Sequence, residues 1–174
     1  MTKIPIPKVK CSRGFTLIEL LLYLGLAAVM LLAISVFMAM LLESRVKNQT
    51  AAEVDQQGNM VMNLITTAIR NAEGVNSPAV GASDASLSLD ALAAANDPTV
   101  FDSASGVLQI AEGGSAAVPL TSARLTATAL NFQNLSRPAT AGNIRIQFTL
   151  TYVNSTGKSQ YDYSRTFYGT ASLR

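Results

Sequence analysis

Histidine is absent from this chain of 174 residues, and cysteine occurs once, at Cys11. Those two shortages remove a large part of enzyme chemistry. There is no imidazole or thiolate zinc site, no Ser-His-Asp triad and no Cys-His nucleophile. A lone cysteine cannot close a disulfide within the chain, so stability has to come from packing. Cys11 invites a lipid-attachment reading, but Val9 and Lys10 precede it where small residues are needed. It reads as an incidental residue of a leader segment. Proline is missing between Pro7 and Pro78, so nothing in that interval strips a helix of a hydrogen bond. Charge is scarce too: 14% of residues carry it, and none from Leu20 to Leu42 does.

That uncharged run is the dominant feature present. Its polar interruptions are Ser35 and the phenol of Tyr23. Coiled as a helix it is about 35 Å long, enough for a hydrocarbon core of about 30 Å. One membrane span is expected. Lys3, Lys8, Lys10 and Arg13 precede the run with no acid among them. Positive flanks stay on the cytoplasmic side, which sends the C-terminal part outside. The formal charge of +2 rests on those four residues, because the other nine bases are outnumbered by eleven acids. One residue conflicts with a plain anchor. Glu19 sits at the start of the apolar run, where an unpaired carboxylate costs about 2.5–3.5 kcal/mol on insertion scales.

The stretch "RGFTLIEL", Arg13 to Leu20, resembles the processing site of type IV prepilins and type II secretion pseudopilins. A short basic leader ends in Gly; Phe follows, and Glu stands four positions later, ahead of a membrane helix. The resemblance implies that a prepilin peptidase cuts between Gly14 and Phe15 and methylates the new amino group of Phe15. A secretory signal peptide differs, since its cleavage site follows the hydrophobic region. Glycine at position 14 suits a protease that must approach the backbone closely. Under this reading the amine of Phe15 offsets the charge of Glu19, one helical turn away in the same chain. Between chains, Glu19 pairs with Phe15 of a neighbour and sets the axial register. The plainer account leaves Glu19 at the membrane interface, beside the positive end of a helix dipole.

Beyond the membrane run, Val54, Val61, Leu64, Ile65, Ala68, Ile69 and Ala72 recur at spacings of three, four and seven, which predicts an amphipathic helix. Gly58 is a weak point in it, and "AEGVNSP" (Ala72 to Pro78) predicts its stop near residue 73. Ile144, Ile146, Phe148, Leu150 and Tyr152 alternate with polar residues. A turn at "NSTGK" follows, and alternation resumes through Tyr161, Tyr163, Arg165 and Phe167, which predicts an antiparallel hairpin. An earlier hairpin is expected over Gly106 to Leu120, turning at Gly113-Gly114. Leu125 to Leu135 reads as a strand whose apolar phase slips between Ala129 and Leu130, predicting a bulge. Residues 76–105 read as loop with short strands.

The expected fold is α+β, a long N-terminal helix packed on an antiparallel sheet, which is also the pilin fold. The expected divisions are a removed leader (1–14), a transmembrane and assembly helix (15–42) and an extracytoplasmic domain (43–174). Within the family the chain looks like a minor subunit of the PilW or pseudopilin J kind. Major pilins usually carry a helix-breaking proline about twenty residues past the cleavage site, and here Val36 occupies that region. The implied partners are the prepilin peptidase, other major and minor pilins or pseudopilins, an inner-membrane assembly platform and, before assembly, the lipid bilayer. The implied location is the bacterial cytoplasmic membrane, then a filament at the cell surface or across the periplasm. Pilus, type II secretion and DNA-uptake machines share this assembly chemistry, so the resemblance implies service in one of these three.

Other constellations carry less. Glu73 to Glu112 holds six acids and no base, while Gly113 to Arg174 holds six bases and one acid, Asp162. With Tyr161, Tyr163 and Tyr168, the basic half suggests a surface for DNA; complementary patches between neighbouring subunits explain the same charges. Asp84, Asp90, Asp97 and Asp102 suggest calcium, yet their spacing is not that of an EF-hand loop, and solvated loop acids are the plainer reading. No catalytic, cofactor or metal residue is nominated. A membrane-anchored extracytoplasmic enzyme is the alternative of a different class.

Overall fold

The structure is a computed structural model that describes residues 14–137 and 142–174. Lys3, Lys8, Lys10, Cys11 and Arg13, which the sequence reading assigns to a leader, lie outside the described residues. Among the described residues one α-helix, α1 (Leu17–Asn71), precedes nine strands. The chain divides into two compact units, the first ending at Leu42 and the second Glu43–Arg174.

In the first unit every described residue is exposed, and the apolar segment of α1 is long enough to cross a membrane. Its two polar interruptions are satisfied within the helix. The Ser35 hydroxyl donates to the Leu31 carbonyl at 2.8 Å, and the Tyr23 hydroxyl donates to Glu19 Oε1 at 3.4 Å. A helix that closes its own polar groups in this way suits hydrocarbon, where water supplies no partner.

In the second unit α1 buries one stripe: Thr50, Val54, Gly58, Val61, Ile65 and Ile69. The steps of three and four keep these residues on one face. Against it lie two antiparallel sheets. β1 (Ala72–Ser77), β3 (Leu87–Ala91), β4 (Thr99–Ala104), β5 (Val107–Glu112) and β6 (Val118–Pro119) form a five-stranded sheet in the order β1-β3-β4-β5-β6. β2 (Ser83–Asp84), β7 (Leu125–Asn134), β8 (Asn143–Tyr152) and β9 (Ser164–Ser172) form a four-stranded sheet in the order β2-β7-β8-β9. Helix and both sheets share one core, with Leu87, Leu89 and Phe101 from the larger sheet and Phe132, Ile144, Ile146, Phe148 and Leu150 from the smaller. The architecture is therefore α+β and pilin-like. Burying each such aliphatic or aromatic side chain contributes about 1.5–3 kcal/mol.

The sequence reading holds in most elements and changes in four. The helix ends at Asn71 rather than near 73, and Ala72–Ser77 continues directly as β1, pairing with β3. Strands expected to make one sheet divide into two. The hairpin of β8 and β9 pairs only as far as Thr151↔Ser164, so Tyr161 and Tyr163 are not strand residues. Asn154 organises the longer connection: its Oδ1 accepts the backbone N–H of Gly157 at 2.9 Å, and its Nδ2 donates to Asp162 Oδ1 at 2.7 Å. That leaves Tyr161 in a short 3-10 turn, stacked on Tyr152 with ring centroids 6.0 Å apart.

Gly58 is the fourth change. Far from weakening the helix, it is the seat of Phe167, whose ring occupies the space that a Cβ at position 58 would fill. The ring has little room to retreat. Phe148 stacks on it at 5.3 Å, and the Arg165 guanidinium lies 5.4 Å from its centroid. Met62 makes the reciprocal fit, its sulfur lying against Gly169 of β9. The phase slip in β7 is confirmed: the register shifts between Thr128 and Asn131, and Ala129 takes φ 53°. The extra residue moves burial from Leu125 and Ala127 to Phe132 and Asn134, keeping both halves of the strand on the core.

Gly58→Ala is expected to destabilise the protein by about 1–2 kcal/mol, because overpacking outweighs the gain in helix propensity. Urea unfolding of the full chain in detergent measures it. Added to Phe167→Leu, which removes the ring, the same change should cost almost nothing, a coupling that a double-mutant cycle reads directly.

Candidate functional site

Thr16 begins the helix. Its carbonyl accepts the backbone N–H groups of Glu19 at 3.1 Å and Leu20 at 3.2 Å, which makes it the cap. Gly14 and Phe15 therefore stand just ahead of the helix, and both are exposed. No described residue lies within 4 Å of the position a Cβ on Gly14 would take, so the described residues make no steric demand for glycine there. Phe15 is 70% exposed. Its ring approaches that of Tyr23 at 5.8 Å, tilted by 54°.

Glu19 lies in the first turn, where the helix dipole favours a carboxylate. Its one side-chain partner among the described residues is the Tyr23 hydroxyl, one turn further on. The structure thus gathers Phe15, Glu19 and Tyr23 along one edge of the helix start. The sequence reading noted Tyr23 only as a polar interruption. Its spacing of four from Glu19 and eight from Phe15 is the signal that places it on the same face.

The other candidate residues are dispersed. Arg165 Nη1 pairs with Asp55 Oδ2 at 2.7 Å, and Arg124 with Glu53 Oε2 at 3.7 Å. The hydrogen bond and charge of Asp55 hold the Arg165 guanidinium above its usual value. Arginine is charged at neutral pH in folded and unfolded chains alike, so this shift opens no pH window for stability near neutrality. Two of the basic residues set apart in sequence thus meet acids of α1. Tyr163 also points its hydroxyl to Asp55 Oδ1, at 3.5 Å. Tyr168 is 69% exposed on β9. Among the four loop acids, Asp84 accepts the N–H of Ala85 at 2.6 Å and Asp97 that of Ala91 at 3.3 Å. Among the described residues no three Asp, Glu, His or Cys side chains gather as a metal site.

One family profile matches the chain: the prokaryotic N-terminal methylation motif, over residues 9–35. No curated protein and no solved structure matches. The motif supports a type IV prepilin-like protein, a structural subunit of the pilin or pseudopilin type. It implies processing by a prepilin peptidase and assembly with other pilins, and with the apolar helix it fits a membrane-anchored pilin.

The Asp55–Arg165 pair is half-exposed, so it is expected to act weakly and to be screened by salt. Asp55→Ala should lower the melting temperature by roughly 1–3 °C in dilute buffer. The difference should shrink at molar salt, as thermal scans monitored by circular dichroism would show.

Proposed function

We propose that the chain is a minor pilin or pseudopilin that helps to initiate or cap a type IV pilus-like filament. The observation that carries the minor role is the uninterrupted α1 (Leu17–Asn71), which passes through Val36 without a break. Processing falls between Gly14 and Phe15. The leader 1–14 is removed, Phe15 becomes the N-methylated terminus, and residues 15–42 serve first as membrane anchor and then as the assembly helix. The domain 43–174 lies outside the cytoplasmic membrane. The exposure of Gly14, and a glycine there that no described residue demands, support access by a membrane peptidase.

Glu19 is the assembly residue. Tyr23 offers it a hydrogen bond but no charge, so its ionised form still lacks a counterion among the described residues of its own helix start. Cleavage creates one at Phe15, one turn away in the same chain, and in the filament the amine at Phe15 of a neighbouring subunit takes that place. A pair of this kind is satisfied only at one axial offset, so it selects register as well as contact.

Intact mass and N-terminal sequencing of membrane-extracted protein should find methylated Phe15 as the first residue; a start at Met1 or Thr2 in cells with active prepilin peptidase would refute processing. Glu19→Ala should leave cleavage and membrane insertion largely intact, since it makes the helix more apolar. Its recovery in sheared filaments or cross-linked initiation complexes should fall several-fold. Recovery equal to that of the unaltered protein would reduce Glu19 to an interfacial carboxylate.

A further inference from the structure

The end of the second unit at which α1 enters carries a group of polar and aromatic side chains at the margin of the core. Val46, Thr50 and Glu53 of α1 line a recess of about 200 Å³ together with Arg124, Tyr152 and Tyr161. Arg124, Tyr152 and Tyr161 also border a second recess of about 370 Å³, whose lining includes Val153 and Thr156. The stacked tyrosines and Arg124 thus form a ridge between two hollows. Backbone bonds fix the ridge: Val153 N–H donates to the Arg124 carbonyl at 2.7 Å, and Tyr161 N–H to the Lys158 carbonyl at 3.0 Å. Gln57 ties the neighbouring loop to the helix, its Oε1 accepting Ser122 N–H at 2.9 Å and its Nε2 donating to Ser122 Oγ at 3.1 Å. Val153 remains 44% exposed beside the rings.

We propose that this ridge rests on the bilayer and binds the anionic headgroups of the outer leaflet while the subunit is membrane-anchored. The proposal rests on reading the apolar helix as a membrane span. Val46 is four residues beyond Leu42, so chain reach keeps it within about 14 Å of the end of the uncharged run. The headgroup zone of each leaflet is about 5–8 Å deep, within reach of the tyrosines packed beside Val46. Tyrosine partitions to that zone because its ring is apolar and its hydroxyl is wet. Arg45, Lys47, Arg124 and Lys158 add positive charge at this end of the chain, and basic residues near an anionic surface are drawn to it. Glu43, Glu53 and Asp162 oppose them in part, and Glu53 is already paired with Arg124.

The chain has no tryptophan, so Tyr161→Trp installs a single reporter. Full-length protein carrying it is reconstituted into phosphatidylcholine vesicles with and without one-quarter phosphatidylglycerol, each containing lipid spin-labelled at the headgroup. Quenching at position 161 should be at least twofold stronger than in a Tyr168→Trp control, whose residue lies further along β9. It should weaken when phosphatidylglycerol is left out. Lys158→Gln should shift the docked-to-undocked ratio about fivefold. Equal quenching at 161 and 168 would overturn the proposal. So would quenching at position 161 that falls as protein density in the vesicle rises, which would assign the ridge to a second copy. Should Tyr161→Trp unfold the domain, Val153→Trp at the same ridge gives the same reading. The outcome does not depend on where the peptidase cuts, so failure here is separable from failure of the processing scheme.

Discussion

One helix has to satisfy two solvents. Within α1 (Leu17–Asn71) the first half is apolar on every side, and the second is apolar along a single stripe. In hydrocarbon each backbone N–H and C=O must be closed within the segment, which only unbroken coiling accomplishes for a lone chain. With no proline in its interior, α1 keeps that ladder of hydrogen bonds unbroken. The bonds from Ser35 to Leu31 and from Tyr23 to Glu19 apply the same rule to side chains. Past Leu42 the requirement reverses. Water closes the outer face, and the stripe from Thr50 to Ile69 needs an apolar cover, which two sheets provide.

Glycine sets how closely that cover fits. With a Cβ at position 58, Phe167 would have to lift from the helix and carry the stacked ring of Phe148 with it. Helix propensity alone would put alanine there; the site gives up that gain for close packing. Met62 against Gly169 repeats the exchange with the partners reversed. Two interlocked contacts in opposite senses fix both the position of β9 along α1 and its rotation. The Asp55–Arg165 pair sits beside them and adds orientation more than energy.

Much of this was legible in the sequence, because burial imposes a period. The stripe from Val54 to Ala72, the alternation through β8 and the slip near Ala129 all leave a repeating trace. What escaped has no periodic trace. Thr50 and Gly58 lie on the buried stripe without being apolar. Ala72–Ser77 becomes β1 because β3 pairs with it, a contact that nothing within "AEGVNS" announces. The tight link from β4 to β5 was missed although Ser105 and Gly106 both take positive φ, with Ala104 opposite Val107; a serine-glycine pair between two short apolar runs was its signal. At the helix start, Gly14, Phe15 and Glu19 were readable as a motif. Tyr23 was not, since its part depends on the geometry of one helical turn.

That turn also explains why a costly residue is tolerable at the helix start. A carboxylate in hydrocarbon is penalised chiefly in its charged form. The dipole at the start of α1 and the Tyr23 hydroxyl each relieve part of the penalty, which allows insertion of the subunit by itself. Neither supplies a full positive charge. The remaining deficit becomes affinity for a cation, and it grows as lipid and protein exclude water. A helix with full compensation would have no electrostatic reason to prefer one neighbour or one offset. One with none would resist insertion. Under the proposed assembly role, partial compensation is what would let the same residue serve an anchored state and an assembled one, with the difference between them expressed as register.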